Sequence, residues 1–351
     1  RDKETLLPFK LFRHKIGSSQ EDDVLVYEEK DPTFYLSVGN SRSMQFIEIN
    51  ISSTTSSEVR LIDSEFPKEA PVVFLKRELD HLYSIEHDPA SERFLIETNW
   101  QASNFRLMSI DINNSAYKNK WKELIPHREN VLLQSALAFP DHMVIMEREN
   151  GLRHLKIITK ADSSEKSINF NDPSYNAYLA ANPEYYSDKF YFGYSSLRTP
   201  DSLFSSKLST GRKRLLKQAE VKGPFSKSDY KVERKFIKGR DGTLVPVSLV
   251  YKRTTFKKNN NPLFVYGYGS YGLSIDAGFS STRLSLLDRG YVFAIAHIRG
   301  GQEMGRSWYE DGKIFNKLNT FYDFVDVTKG LLEEGYGQKG RVFAGGGSAG
   351  G

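Results

Sequence analysis

Three residues near the end of the sequence have the types and spacing that acyl transfer requires. Gly346, Ser348 and Gly350 form a G-x-S-x-G run within "RVFAGGGSAGG". A serine attacks a carbonyl only when its hydroxyl stands clear of the backbone, and a sharp strand-to-helix turn presents it that way. Side chains at the two flanking positions would collide across such a turn, so glycine belongs there. The N–H of the next residue, Ala349, then points to where an oxyanion would form. A glycine-rich tail would spell the same letters. The apolar run "RVFAG" just before the motif favours the turn, because it reads as a strand.

Serine needs a base, and in this arrangement the chain order is serine, acid, histidine. All seven histidines precede Ser348. His297, in "AIAHIRGG", is the nearest in sequence, but it closes a buried strand and reads as structural. The 351 residues are therefore expected not to turn over a substrate by themselves. A second dense segment is "YGYGSYG", Tyr266 to Gly272. It reads either as a tight turn with packed rings or as a loop whose tyrosine hydroxyl reaches the oxyanion position.

The elements that must position these residues change character along the chain. From residue 231 on, "KFIKGRDGTLVPVSLVYKR" reads as a hairpin with Asp241-Gly242 supplying positive φ. An apolar strand "PLFVYGYG" follows, then a helix near "SSTRLSLLDR" ending at Gly290. "YVFAIAHI" has the continuous apolar run of a strand buried on both faces. Phe321, Phe324, Val325, Leu331 and Leu332 are expected to share the buried face of a further helix, closed by Gly335. Strand and helix alternation with short links implies a parallel, doubly wound α/β sheet.

The first 220 residues read instead as short strands between polar turns. "FYLSV", "FLIET", "MVIME" and "FYFGY" begin at Phe34, Phe94, Met143 and Phe190, intervals of 60, 49 and 47 residues. "FIEI", "LMSI", "LKII" and "FSSKL" begin at Phe46, Leu107, Leu155 and Phe204, intervals of 61, 48 and 49. A period of about 50 with about four strands per unit is the pattern of β-propeller blades, of which about four are visible.

Composition narrows the function classes. There is no cysteine, so disulfides, thiolate metal sites and a cysteine nucleophile are excluded. No apolar run reaches the roughly 18 residues of a membrane span, and the charged start does not read as a signal peptide. The net charge of +5 is mild. Twelve Lys or Arg against three acids between Lys207 and Arg240 read as a solvated inter-domain segment rather than a nucleic-acid patch. No metal or cofactor motif is present. These features suit a cytoplasmic protein with neither nucleic-acid nor membrane partners.

"YGYGSYGLSIDAGFSSTRLSLLDRGYVFAIAHIRGG", "GRSWYEDGK", "NTFYDFVDV" and "GGSAGG" together resemble the prolyl oligopeptidase family of serine peptidases, and within it the oligopeptidase B branch. The match is closest over residues 240 to 351 and looser over the repeats. It implies a partial β-propeller over residues 1–220, followed by the first part of an α/β-hydrolase domain over 221–351. By this resemblance about three blades are missing ahead of Arg1. The triad Asp and His and the acids of the primary specificity pocket would lie beyond Gly351.

The resemblance also implies hydrolysis of short peptides after Arg or Lys, without a cofactor. It makes Ser348 the nucleophile and joins the Tyr268 hydroxyl to the Ala349 N–H in the oxyanion hole. Asp276 matches an acid that holds a basic substrate residue, and Tyr271 is the second candidate substrate contact. Gly278 stands where relatives often carry another Asp, which argues against a strong preference for paired basic residues. Two alternatives stand beside this one. The chain could be a non-catalytic propeller binding module or an inactive truncated remnant, or the hydrolase fold could serve an esterase.

Overall fold

The computed structural model describes all 351 residues, Arg1–Gly351. Four antiparallel sheets of four strands each occupy residues 35–218, and each runs in simple chain order. This is the meander of a propeller blade. The sheets begin at Tyr35, Tyr83, Val131 and Tyr175, intervals of 48, 48 and 44 residues. The 60-residue interval in the sequence repeat thus has a simple cause. "FYLSV" and "FIEI" belong to the first and second strands of their sheet, Tyr35–Asn40 and Phe46–Ser52. Their counterparts are the second and third strands of the other three sheets. Short apolar runs occur on several strands of one blade, so such a run does not by itself fix a strand's place in the meander.

The chain divides into two compact units. The first comprises residues 1–128, 135–144 and 183–187. Its main core joins Val59, Leu61 and Phe74 to Phe94, Ile96, Met108 and Trp121. Phe94 packs against Phe46 and Phe74 at ring separations of 5.3 and 5.1 Å. The Tyr83 hydroxyl donates to the Leu75 carbonyl and accepts from the Val59 N–H, and the Trp121 indole N–H donates to the Ser115 carbonyl, so both polar groups of these rings are satisfied. A cavity of about 200 Å³ in the same unit is lined by Ser84, Glu86, Glu97, Ser135 and Leu137, among others. Burial pushes the Glu97 carboxyl up to about 8. Burial and, second, the charge of Glu86 push Glu48 up to about 7.

The second unit comprises residues 129–134, 145–182 and 188–351. Its α/β part runs β1 (Tyr230–Lys238), β2 (Leu244–Lys252), β3 (Leu263–Tyr266), α1 (Ser281–Asp288), β4 (Val292–Ala296), α2 (Arg306–Glu310), α3 (Lys317–Glu333) and β5 (Val342–Gly345). The strand order is β1-β2-β4-β3-β5. β3, β4 and β5 are parallel, as the alternation of strands and helices implied. β1 and β2 add an antiparallel edge, so the sheet is mixed.

Residues one apart on a strand face opposite sides, and the two helical layers divide accordingly. Val245, Val247 and Leu249 of β2, with Val292 and Ala294 of β4, pack on Val327 and Leu331 of α3. Val250 of β2 and Phe293 and Ile295 of β4 pack with Leu287 of α1. Each such side chain contributes about 1.5–3 kcal/mol on burial. The Ser280 hydroxyl caps α1 by accepting the Arg283 N–H, and Gly290, at φ 85, lets the chain leave it.

Two local expectations are corrected. In the β1–β2 turn only Gly242 has positive φ, at 88. The Gly242 N–H donates to Gly239 O and the Gly239 N–H to Thr243 O, which is a longer loop closed by one left-handed glycine. On α3 the buried positions are Thr320, Asp323, Val327 and Leu331. Phe321 and Val325 are exposed because the polar pair serves Arg299. Asp323 accepts the Arg299 N–H and guanidinium, and Thr320 donates to the Arg299 carbonyl. The basic stretch Lys207–Arg240 includes the exposed strand Lys213–Gln218 and then β1, and its ion pairs include Lys231–Glu233, Lys235–Glu334 and Arg240–Asp326.

Candidate active site

β3 and β5 are parallel neighbours, with Tyr266 opposite Gly345. The loops leaving their carboxyl ends therefore emerge side by side, and these loops hold Tyr268 and Ser348. The Gly267 N–H donates to Gly345 O at 3.2 Å, tying the two exits together. Ser348 is exposed, with φ at 51, a left-handed conformation that costs a non-glycine residue about 1–2 kcal/mol. Backbone strain of this kind is what a nucleophile elbow stores.

Gly346 and Gly350, the two glycines of the motif, are required by packing. A Cβ on Gly346 would stand 1.8 Å from the Gly350 carbonyl oxygen. One on Gly350 would meet Gly267 O at 2.9 Å and the Cα of Tyr268 at 3.0 Å. The turn is closed by the Gly350 N–H on Gly347 O and the Gly351 N–H on Ser348 O. A cavity of about 320 Å³ opens beside it, lined by Tyr268, Ala349, Gly350, Phe321 and Phe324, among others. The structure thus brings Ser348, Ala349 and Tyr268 to one place.

Tyr271 and Asp276 are placed differently. Tyr271 is 73% exposed, with φ at 57. Asp276 is already engaged: its two carboxylate oxygens accept from Arg148 at 2.8 Å and Arg153 at 3.1 Å. Arg148 is fully buried and also donates to Gly151 O. The Ile275 N–H donates to Glu303 Oε1 at 2.8 Å, which fixes the backbone next to Asp276. Nothing in the sequence pairs Asp276 with arginines more than 120 residues upstream, and that contact was missed. Gly278 is not sterically required, since an added Cβ would meet only Ser195 Oγ, at 3.6 Å.

His297 is buried, and its Nε2 is hydrogen-bonded to the Ser248 hydroxyl at 2.6 Å, which in turn meets the Ser174 hydroxyl. Its carbonyl accepts the Trp308 indole N–H. This is the structural role expected of it. A second residue escaped sequence reasoning. Lys317, the first residue of α3, donates to Gly269 O at 2.5 Å and to Ser270 Oγ at 2.7 Å, inside the loop that carries Tyr268. Burial lowers its pKa. The available signal was its position, because a cation in the first turn opposes the helix dipole.

Comparison with known proteins agrees with this layout. Residues 1–219 match the prolyl oligopeptidase N-terminal β-propeller domain, and residues 277–351 match the prolyl oligopeptidase family. The chain is 43% identical over its whole length to dipeptidyl aminopeptidase BI of Pseudoxanthomonas mexicana, covering 48% of that protein. It is 38% identical to Protease 2 of Moraxella lacunata over 98% of this chain and 49% of the relative. Oligopeptidase B from Leishmania major superposes with a TM-score of 0.91 at 32% identity, over 99% of this chain and 50% of that one. Oligopeptidase B from Trypanosoma brucei with covalently bound antipain gives 0.91 at 30%, with the same coverage. The chain thus spans about half the length of the curated relatives it matches. Its fold is that of propeller blades followed by the first part of an α/β-hydrolase domain, and it belongs to the prolyl oligopeptidase family.

Proposed function

We propose that the complete protein is a serine peptidase that hydrolyses short peptides, with residues 1–220 as propeller and 221–351 as the start of the catalytic domain. The observation that carries this is the left-handed Ser348, exposed on an elbow beside the loop of Tyr268. Ser348 Oγ attacks the peptide carbonyl, and the charge on the tetrahedral oxygen is met by the Ala349 N–H and the Tyr268 hydroxyl. A histidine takes the serine proton and returns it to the leaving amine, and an acid orients that histidine. His297 does not qualify, because its Nε2 is committed to Ser248. The reading therefore assigns base and acid to the remainder of the full-length protein. The T. brucei relative bears covalently bound antipain, which suits a covalent mechanism.

Preference for Arg or Lys rests on the family resemblance and on the Asp276 carboxylate. A substrate cation would have to compete with Arg148 and Arg153 for that carboxylate. One relative favours a second mode of action: dipeptidyl aminopeptidase BI, by its name, releases dipeptides. No helix of the chain is long and apolar enough to cross a membrane, and a cytoplasmic setting rests on the family resemblance.

The test is Ser348→Ala in the complete protein, assayed on an arginyl amide, on dipeptidyl and longer peptide substrates, and on a simple acyl ester. Loss of all peptide hydrolysis with an unchanged melting temperature supports the reading. Retained turnover removes Ser348 from it, and an unmutated protein that hydrolyses the ester and none of the peptides is an esterase.

A further inference from the structure

Lys317 is placed where a lysine has little reason to be. It opens α3, where the helix dipole disfavours a cation. Its ammonium meets no carboxylate in its hydrogen bonding. Both of its acceptors, Gly269 O and Ser270 Oγ, are neutral, and its surroundings lower its pKa by burial. The loop it holds is gripped from other sides too. Gly269 has φ at 64, and a Cβ there would stand 2.4 Å from Thr320 Cγ2 and 2.8 Å from Arg299 O. A Cβ on Gly300 would stand 2.0 Å from Gly269 O. The Gly272 N–H donates to Gly300 O. On the other flank Gly267 is tied to Gly345, the last residue of β5. Tyr268 is thus suspended between two anchored peptides, one fixed by the elbow strand and one by Lys317.

We propose that Lys317 is a positioning residue for the oxyanion tyrosine: its ammonium, hydrogen-bonded to Gly269 and Ser270, holds the Tyr268 hydroxyl where negative charge develops during acyl transfer. The inference rests on the assignment of Ser348 and Tyr268 above. It makes the loop competent only while Lys317 is protonated, so kcat falls at alkaline pH as the ammonium loses its proton. The groups facing that ammonium are the Gly269 carbonyl, the Ser270 hydroxyl and the Phe321 ring at 5.8 Å, none of which titrates in the working range.

The experiment compares Lys317→Met, Lys317→Arg, Ser270→Ala, Tyr268→Phe and the double variant Lys317→Met/Tyr268→Phe in the complete protein. Melting temperatures are recorded for each. Lys317→Met is expected to lower kcat about tenfold to a hundredfold with KM little changed, because an interaction made in the transition state is lost. Lys317→Arg restores part of kcat and moves the alkaline limb upward. The double variant is no slower than Tyr268→Phe alone, since the lysine acts through the tyrosine. Ser270→Ala, which keeps the charge and removes one acceptor, gives a smaller loss in the same direction and decides the matter if Lys317→Met fails to fold. Full kcat in Lys317→Met, or losses that multiply in the double variant, would overturn the proposal. A different result sinks the parent assignment: Tyr268→Phe retaining full kcat removes the tyrosine from the oxyanion site, and the positioning role falls with it.

Discussion

Arg148 and Asp276 are 128 residues apart in the chain, and their side chains meet at 2.8 Å with the guanidinium wholly out of solvent. A buried charge that loses its partner is costly, by about 3–5 kcal/mol. Asp276→Ala is therefore expected to lower unfolding stability by about 3 kcal/mol, read as a shift of the urea midpoint. An acid that served substrate alone would raise KM and leave the midpoint where it was. The two roles separate in one pair of measurements.

The elbow makes a prediction about stability that opposes activity. Ser348→Gly removes the left-handed strain, partly offset by the freer unfolded chain, and should exceed Ser348→Ala in stability by on the order of 1 kcal/mol. Both variants of the complete protein are expected to be inactive under the proposed role of Ser348. Gly346→Ala acts the other way, since its methyl would overlap the Gly350 carbonyl. Labelling of Ser348 by a fluorophosphonate should disappear in Gly346→Ala. Normal labelling there would mean the elbow tolerates a side chain.

Acidic groups in the first unit set a pH dependence. Glu97 and Glu48 are held at about 8 and about 7, against 4.5 for the ordinary carboxyl. The native state keeps protons that the unfolded chain releases, so their contribution to stability falls as pH rises from about 4.5 to about 8. This contribution is complete below the first value and gone above the second. Glu97→Gln should flatten the profile and be more stable than the parent at pH 8, by about 1 kcal/mol or more. Urea melts of parent and variant at pH 5, 6.5 and 8 report it as a difference, because burial lowers the pKa of His81 and His87 and gives a contribution of opposite sign; a difference that does not change with pH would contradict the assignment.

Gly278 offers a gain-of-function test. Its backbone has no positive φ and an added Cβ finds ordinary contact, so Gly278→Asp should fold. A second carboxylate two residues from Asp276 is expected to lower KM for peptides with paired basic residues several-fold, with kcat little changed. Equal effects on singly and doubly basic peptides would remove this segment from substrate recognition.

Much of this layout was legible in the residues themselves. The propeller repeat showed because the inner strands of a blade are buried on both faces: Phe94, Leu95 and Ile96, like Met143, Val144 and Ile145, are consecutive buried residues, the run that "FLIET" and "MVIME" share. The elbow showed because Gly346 and Gly350 have steric reasons to be glycine. The buried face of α3 was misread because Thr320 and Asp323 look like solvent residues until Arg299 is seen beside them. The pairing of Asp276 with Arg148 and Arg153 carries no sequence signal: ion pairs need only proximity, and proximity across 128 residues is a property of the fold. Lys317 left a faint trace as a cation at the wrong end of a helix.

The order of strands in the α/β sheet also sets a clock. β1 and β2 close a hairpin over six residues, Lys238 to Leu244, whereas β5 finds β3 only across 79, from Leu263 to Val342. Long closures come late in folding, because their chain entropy is repaid only after intervening elements have docked. Ser348 follows directly on that last strand. In a refolding experiment on the complete protein, reactivity of Ser348 should therefore return after the hairpin is protected from hydrogen exchange, because its turn cannot form before β5 docks on β3.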